Sequence, residues 1–245
     1  MRKQDIVYNK ISEKTGQIAI LIDPEKSDNG TDLLNLLKNA SSCGVDYLFV
    51  GGSTVTKIEF ENTINFIKAN SAIPIVIFPG SSHQISEKAD AILYLSLLSG
   101  RNPDYLIGQH VESANEIIKL EIEIIPTGYI LIDGGTISSV ANVSQTKPIP
   151  RDQVEIAKNT AIAGVLQGKK IIYFDAGSGA KQIVPTEIIK EVIFLGIPII
   201  VGGGVKSMEQ LEELKKSGVN LIVIGNHIEE NIDFLLEVKE FKNRN

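Results

Sequence analysis

Three glycine-rich segments, DAGSG at 175–179, GGG at 202–204 and GN at 225–226, each follow a short apolar run. Glycine at a strand end lets backbone N–H groups approach a ligand, and a helix starting there adds its dipole, so the pattern predicts a phosphate cradle. The competing reading is that these glycines only make tight turns. A second set is Asp23 with Ser53 or Thr54. A carboxylate and a hydroxyl are hard oxygen ligands, which suit Mg2+, an ion that keeps several waters and shares substrate phosphate oxygens. Capping of the turn before Pro24 and of a following helix competes with the metal reading. Tyr173 and Asp175 form the third set. Residues two apart on a strand share a face, so the phenol and the carboxylate point together. The carboxylate can act there as a general base and the phenol can bind a substrate hydroxyl, unless Asp175 merely anchors the glycine loop. Lys26 either neutralises a phosphate or is a solvated charge. His83, His110 and His227 show no metal spacing, and Cys43 reads as core.

These groups need a scaffold that brings distant strand ends together. Eight apolar runs supply one: Ile18 to Ile22, Tyr47 to Val50, Ile75 to Phe78, Ala91 to Leu95, Glu123 to Pro126, Lys170 to Phe174, Ile197 to Val201 and Leu221 to Ile224. They are continuous rather than alternating, as in parallel strands buried on both faces. Helical spacing lies between several of them, over Thr31 to Ala40, Asp152 to Leu166, Ser207 to Lys216 and Ile228 to Phe241, with Ser207 and Gln210 spaced for a capping box. No linker or composition break interrupts the series. The expected fold is α/β, one (β/α)8 TIM barrel spanning residues 1–245, and the 245 residues match that size. After the third strand, PGSSHQISEKAD is too short and polar for a full crossover, so the third helix is expected to be irregular or shortened. In such a barrel all three candidate sets fall at the C-terminal strand ends, where active sites form.

Composition narrows the classes. With 24 Lys and Arg against 30 Asp and Glu, the net charge is −6, which argues against a nucleic-acid footprint. A single cysteine forms no intramolecular disulfide and suits a reducing compartment. The polar start, MRKQDIVYNKISEK, predicts no signal peptide, and the longest apolar stretch, 192–205, is too short to span a bilayer. The chain is therefore expected to be soluble and cytoplasmic, without stable membrane insertion.

The segments LIDPEK (21–26), VGGST (50–54), SLLSGRNPDYLIGQHV (96–111), IPTGYILID (125–133), YFDAGSGA (173–180), IVGGGVKS (200–207) and GNHIEEN (225–231) resemble the geranylgeranylglyceryl phosphate synthase family. The resemblance runs in order through nearly the whole barrel. It implies a prenyltransferase that joins the C3 hydroxyl of sn-glycerol 1-phosphate to geranylgeranyl diphosphate and releases diphosphate in ether lipid biosynthesis. It further implies that Asp23 and Ser53 bind Mg2+. Glycerol 1-phosphate would be held by Tyr173, Phe174, Asp175, Ala176, Gly177, Ser178, Gly179, Gly203, Gly204, Gly225 and Asn226. Tyr173 and Asp175 would be catalytic, and homo-oligomers, dimers or hexamers, are the family norm. Asp175 stands where the family usually has Glu, one methylene longer with the same acid/base chemistry. For the apolar tail, Leu97, Leu98 and Tyr129 are the candidates at suitable strand ends. The related heptaprenylglyceryl phosphate synthases are one alternative. A phosphosugar isomerase or aldolase barrel is another, with Lys26 and Lys57 as its nearest lysines.

Overall fold

The computed structural model describes residues 5–27 and 30–244. Eight parallel strands close a barrel in sequence order: β1 Gln17–Ile22, β2 Tyr47–Val50, β3 Ile75–Ile77, β4 Ala91–Leu97, β5 Glu123–Leu131, β6 Ile171–Asp175, β7 Ile199–Gly202 and β8 Leu221–Ile224. The helices are α1 Ile6–Glu13, α2 Thr31–Ser42, α3 Lys57–Asn70, α4 Gln109–Ile117 after a π-turn at Asp104–Gly108, α5 Ser139–Ser144, α6 Val154–Leu166, α7 Thr186–Lys190, α8 Met208–Lys216, α9 Asn226–Glu230 and α10 Phe234–Asn243. Each strand divides its side chains between two layers. Ala19, Phe49, Val76, Leu93, Ile125, Tyr173, Ile200 and Val223 pack inside the barrel, whereas Ile18, Leu48, Ile92, Phe174 and Val201 pack under the helices. Burial on both faces is why the runs are continuously apolar.

Between β3 and β4 the described residues form no helix. The wall of the barrel is thus thinned on that side. Strand β5 is longer than the expected Glu123 to Pro126 and carries Tyr129 and Leu131 opposite Tyr173 and Asp175 of β6. Gly128 leaves room for packing from outside the strand: a Cβ there would lie 2.6 Å from Leu98 Cδ1 and 3.0 Å from Ile172 Cδ1, so those side chains would have to shift. The single closing helix expected from Ile228 to Phe241 is in fact two, α9 and α10, because Asn231 leaves the helical region and its side chain accepts from the Asp233 N–H at 3.2 Å. At α8 only half of the expected capping box forms. Ser207 Oγ accepts from the Gln210 N–H, but Gln210 Oε1 accepts from Lys206 instead. Helix α1, not foreseen, closes the barrel floor with Val7 and Ile11. The buried Glu123 carboxylate caps it by accepting from the Val7 and Tyr8 N–H groups at 2.6 and 2.9 Å, one of the stabilising arrangements for a helix N-terminus.

Candidate active site

A cavity of about 490 Å3 opens at the C-terminal end of the strands. Asp23, Ser53 and Thr54 line it at the ends of β1 and β2, and Gly177, Gly179, Gly203, Gly204, Gly225 and Asn226 at the ends of β6, β7 and β8. Tyr129, Tyr173 and Asp175 line it as well. An arm runs out over the thinned wall, past Ile85, Ile92, Tyr94, His110 and Ile117. Ile92 and Tyr94 belong to the outward face of β4, so the arm leaves the barrel through the gap left by the missing helix.

Asp175 ends β6 almost buried, with its Oδ2 accepting from Tyr129 Oη at 2.5 Å and its Oδ1 accepting from the Gly177 N–H at 2.7 Å. Burial pushes its pKa above the usual carboxylate range, and the two hydrogen bonds pull it back. Tyr129 and Tyr173 are driven well above the ordinary phenol range by burial and by the Asp175 charge. Both phenols therefore stay neutral donors beside an acceptor carboxylate. Tyr173 Oη has no hydrogen-bond partner among the described residues, and Gly202 makes room for it: a Cβ there would lie 2.5 Å away. An ordered acceptor–donor pair of this kind can take a proton from a bound hydroxyl. Tyr129→Phe deletes a hydrogen bond that favours the ionised carboxylate, so the Asp175 pKa rises. The acid limb of the pH–rate profile moves to higher pH, and turnover on the plateau falls roughly tenfold. An unmoved acid limb in a stopped assay across pH would contradict that role for Tyr129.

The glycine side is built by close packing. Gly203 has φ +82°, and a Cβ there would lie 2.7 Å from Asp175 Oδ1 and 2.7 Å from the Gly177 nitrogen. Gly177 has φ +89° and faces Ser138, the N-cap of α5, at a would-be Cβ distance of 2.4 Å. No side chain fits either position, which leaves backbone facing the cavity. Asn226 Oδ1 accepts from Ser178 Oγ at 3.1 Å and from Lys26 Nζ at 3.3 Å, so the lysine of the β1 loop brings positive charge to this rim. The geometry suits a phosphate.

At the end of β1, Asp23 Oδ1 accepts from the Glu25 N–H at 3.2 Å, while Oδ2 takes no hydrogen bond from any described residue. Burial raises its pKa, against the lowering influence of the Glu25 N–H and Lys26. Gly52 clears space beside it, since a Cβ there would lie 2.5 Å from Asp23 Oδ1. Thr54 Oγ1 is engaged at 2.5 Å with Glu25 Oε2, whereas Ser53 faces the cavity without such a partner among the described residues. The donor set is thus one carboxylate and one hydroxyl. It fits Mg2+ that draws its other ligands from water and a substrate diphosphate. No group of three or more His, Cys, Asp or Glu able to hold a metal ion occurs among the described residues.

The structure separates other expected residues from the mouth. Phe174 and Ala176 point outward into the layer under the helices, because they alternate with Tyr173 and Asp175. The Ala176 N–H is moreover spent on Gly202 O at 3.0 Å. Leu97 and Tyr129 line the cavity, but Leu98 turns out toward Gly128 and Gly164 under α6. Lys57 pairs at the surface with Glu116 at 3.3 Å and does not line the cavity. His227 reaches the rim with its ring edge-on to Phe234, and His110 belongs to the side arm. The bond from Tyr129 to Asp175 was not foreseen. Only the register that sets Tyr129 beside Tyr173 reveals it.

The model of the PcrB family matches residues 9–243. A geranylgeranylglyceryl phosphate synthase of Zunongwangia profunda is 47% identical over 227 residues, covering 91% of this chain and 94% of that protein. One from the archaeon Korarchaeum cryptofilum is 41% identical, covering 92% of each. Among solved structures, (S)-3-O-geranylgeranylglyceryl phosphate synthase from Thermoplasma acidophilum, in complex with its substrate sn-glycerol-1-phosphate, superposes with a TM-score of 0.89 at 32% identity, over 98% of both chains.

Proposed function

The chain belongs to the PcrB family, and from that premise we propose how its cavity carries out the family's reaction. It is a prenyltransferase that makes the ether bond between sn-glycerol 1-phosphate and a prenyl diphosphate, which we take to be geranylgeranyl diphosphate. The observation that carries the reading is one cavity lined by the glycine backbone of the β6, β7 and β8 ends, by the oxygen ligands of the β1 and β2 ends, and by the Tyr129–Asp175 pair. In this reading Gly177, Gly179, Gly203, Gly204, Gly225 and Asn226 hold the phosphate. Tyr173 donates to the glycerol and Asp175 faces its C3 hydroxyl. Asp23 and Ser53 would hold Mg2+, which when bound takes up charge on the leaving diphosphate.

The bond balance is simple. The C3 oxygen forms a bond to C1 of the prenyl group, the C1–O bond to diphosphate breaks with its electron pair, and the hydroxyl proton passes to Asp175. Holding both reactants in one geometry contributes much of the rate. Phe78, Tyr129 and Tyr173 pack below the mouth with ring centroids 5.3–5.9 Å apart. Aromatic faces there favour the positive charge that develops on the allylic carbons. The apolar arm past Ile85, Ile92 and Ile117 would take the tail, at about 0.8 kcal/mol for each buried methylene. Incubation with sn-glycerol 1-phosphate and prenyl diphosphates of graded length tests the assignment. Preference for the geranylgeranyl donor supports it, and preference for a much longer donor would move the chain to the heptaprenyl group.

We also propose a homo-oligomer. Val111 and Leu166 are 70% and 83% exposed, and a shallow crevice lined by Leu98, Leu106, Ile156 and Ala163 adds apolar surface between the segment 98–106 and α6. Light scattering should give a multiple of 26.7 kDa, reduced to that value in Val111→Lys/Leu166→Lys; a monomeric parent would contradict the proposal. No helix among the described residues is long and apolar enough to cross a membrane. With its lone cysteine buried, we assign the enzyme to the cytoplasm.

A further inference from the structure

The connection between β3 and β4 has no helix to pair its backbone groups, and a side chain takes over that task. Gln84 is fully buried. Its Oε1 accepts from the Gly80 N–H at 3.0 Å and its Nε2 donates to Gly52 O at 2.7 Å. The amide therefore staples the β3 loop to the β2 loop. Those loops touch at their backbones: a Cβ on Gly80 would lie 2.1 Å from Gly52 O. Gly52 in turn borders Asp23 Oδ1 and precedes Ser53. Nothing else among the described side chains bonds the Gly52 carbonyl.

We propose that Gln84 is a positioning residue for the diphosphate side of the reaction. By fixing the Gly52 carbonyl it sets where Ser53 presents its hydroxyl and how closely the Asp23 carboxylate approaches the β2 loop. It is not among the neighbours of the cradle glycines, which include Leu21, Ser138, Asp175 and Gln182. The effect on the two ligands must therefore be unequal. This inference rests on the placement of Mg2+ and diphosphate at Asp23 and Ser53.

The test uses calorimetric titration of the folded enzyme with inorganic diphosphate plus Mg2+ and, separately, with sn-glycerol 1-phosphate. Gln84→Met keeps the volume and loses both bonds. Gln84→Glu keeps the acceptor for Gly80 and loses the donor to Gly52, and it serves if the first variant does not fold. Each should bind Mg2+–diphosphate about ten- to a hundredfold more weakly, in line with the loss of an outer-shell partner, and glycerol 1-phosphate within about twofold of the parent. In steady state, KM for the prenyl donor rises while KM for glycerol 1-phosphate stays. Unchanged diphosphate affinity, or an equal loss for both ligands, would overturn the proposal. Asp23→Asn in the same titration separates the two claims: if it too leaves diphosphate binding intact, the placement itself fails, and if it alone weakens binding, only the role of Gln84 fails.

Discussion

Asp175→Asn is expected to lower kcat by about a hundred- to ten-thousandfold while sn-glycerol 1-phosphate still binds. The substitution preserves the shape of a group that is nearly buried and held on both oxygens, by Tyr129 Oη and by the Gly177 N–H. It removes the negative charge and the ability to accept a proton. The proposed phosphate cradle is backbone at Gly177, Gly203 and Gly225, so binding of glycerol 1-phosphate is expected to change little. The loss therefore falls on kcat rather than on KM, which is the pattern for a group that acts in the transition state. The pH profile adds a second check. Burial raises the Asp175 pKa, so the parent loses activity as falling pH protonates the carboxylate. The Asn variant has no such group, and this limb disappears. A variant with near-parental turnover would show that the hydroxyl needs no base at this position.

Asp23→Asn should reduce kcat/KM for the prenyl donor by roughly three orders of magnitude, equivalent to about 4 kcal/mol of transition-state stabilisation. Asp23 is the carboxylate proposed to hold Mg2+, with Ser53 beside it and Thr54 bonded to Glu25. An amide at this position keeps one oxygen but contributes no charge toward the cation that must shield a diphosphate. KM for glycerol 1-phosphate changes far less, since the proposed cradle is backbone at the ends of β6, β7 and β8, which an amide in place of Asp23 leaves intact. The steepness of the Mg2+ dependence also falls. Parental activity with unaltered Mg2+ dependence would remove Asp23 from the metal site.

The barrel was legible because strands buried on both faces leave continuous apolar runs, and all eight mark real strands. The glycine segments at 177–179, 203–204 and 225 were legible because backbone approach demands glycine. Other features were hidden for physical reasons. The family resemblance implied Phe174 and Ala176 as site residues, but strand alternation turns their side chains away. Leu98 fails for the same reason beside Leu97. The Tyr129–Asp175 bond joins residues 46 apart and depends on the β5–β6 register. Helix α1 carries the modest signal of Val7 and Ile11 four residues apart, and its anchor, Glu123, sits far along the chain. The side arm was unreadable because Ile85, Ile92 and Ile117 are nearly buried core residues, and only the folded chain shows that they also line the cavity.

The central claim is that the C3 oxygen of glycerol phosphate, held beside Asp175, attacks the prenyl carbon and expels diphosphate. Purified enzyme with Mg2+, geranylgeranyl diphosphate and sn-glycerol 1-phosphate labelled with oxygen-18 at the C3 hydroxyl tests this most directly by mass spectrometry. The expected outcome is a prenylglyceryl phosphate that retains the heavy oxygen in its ether, together with unlabelled diphosphate. Absence of that ether, or an ether from which the label has gone, would contradict it.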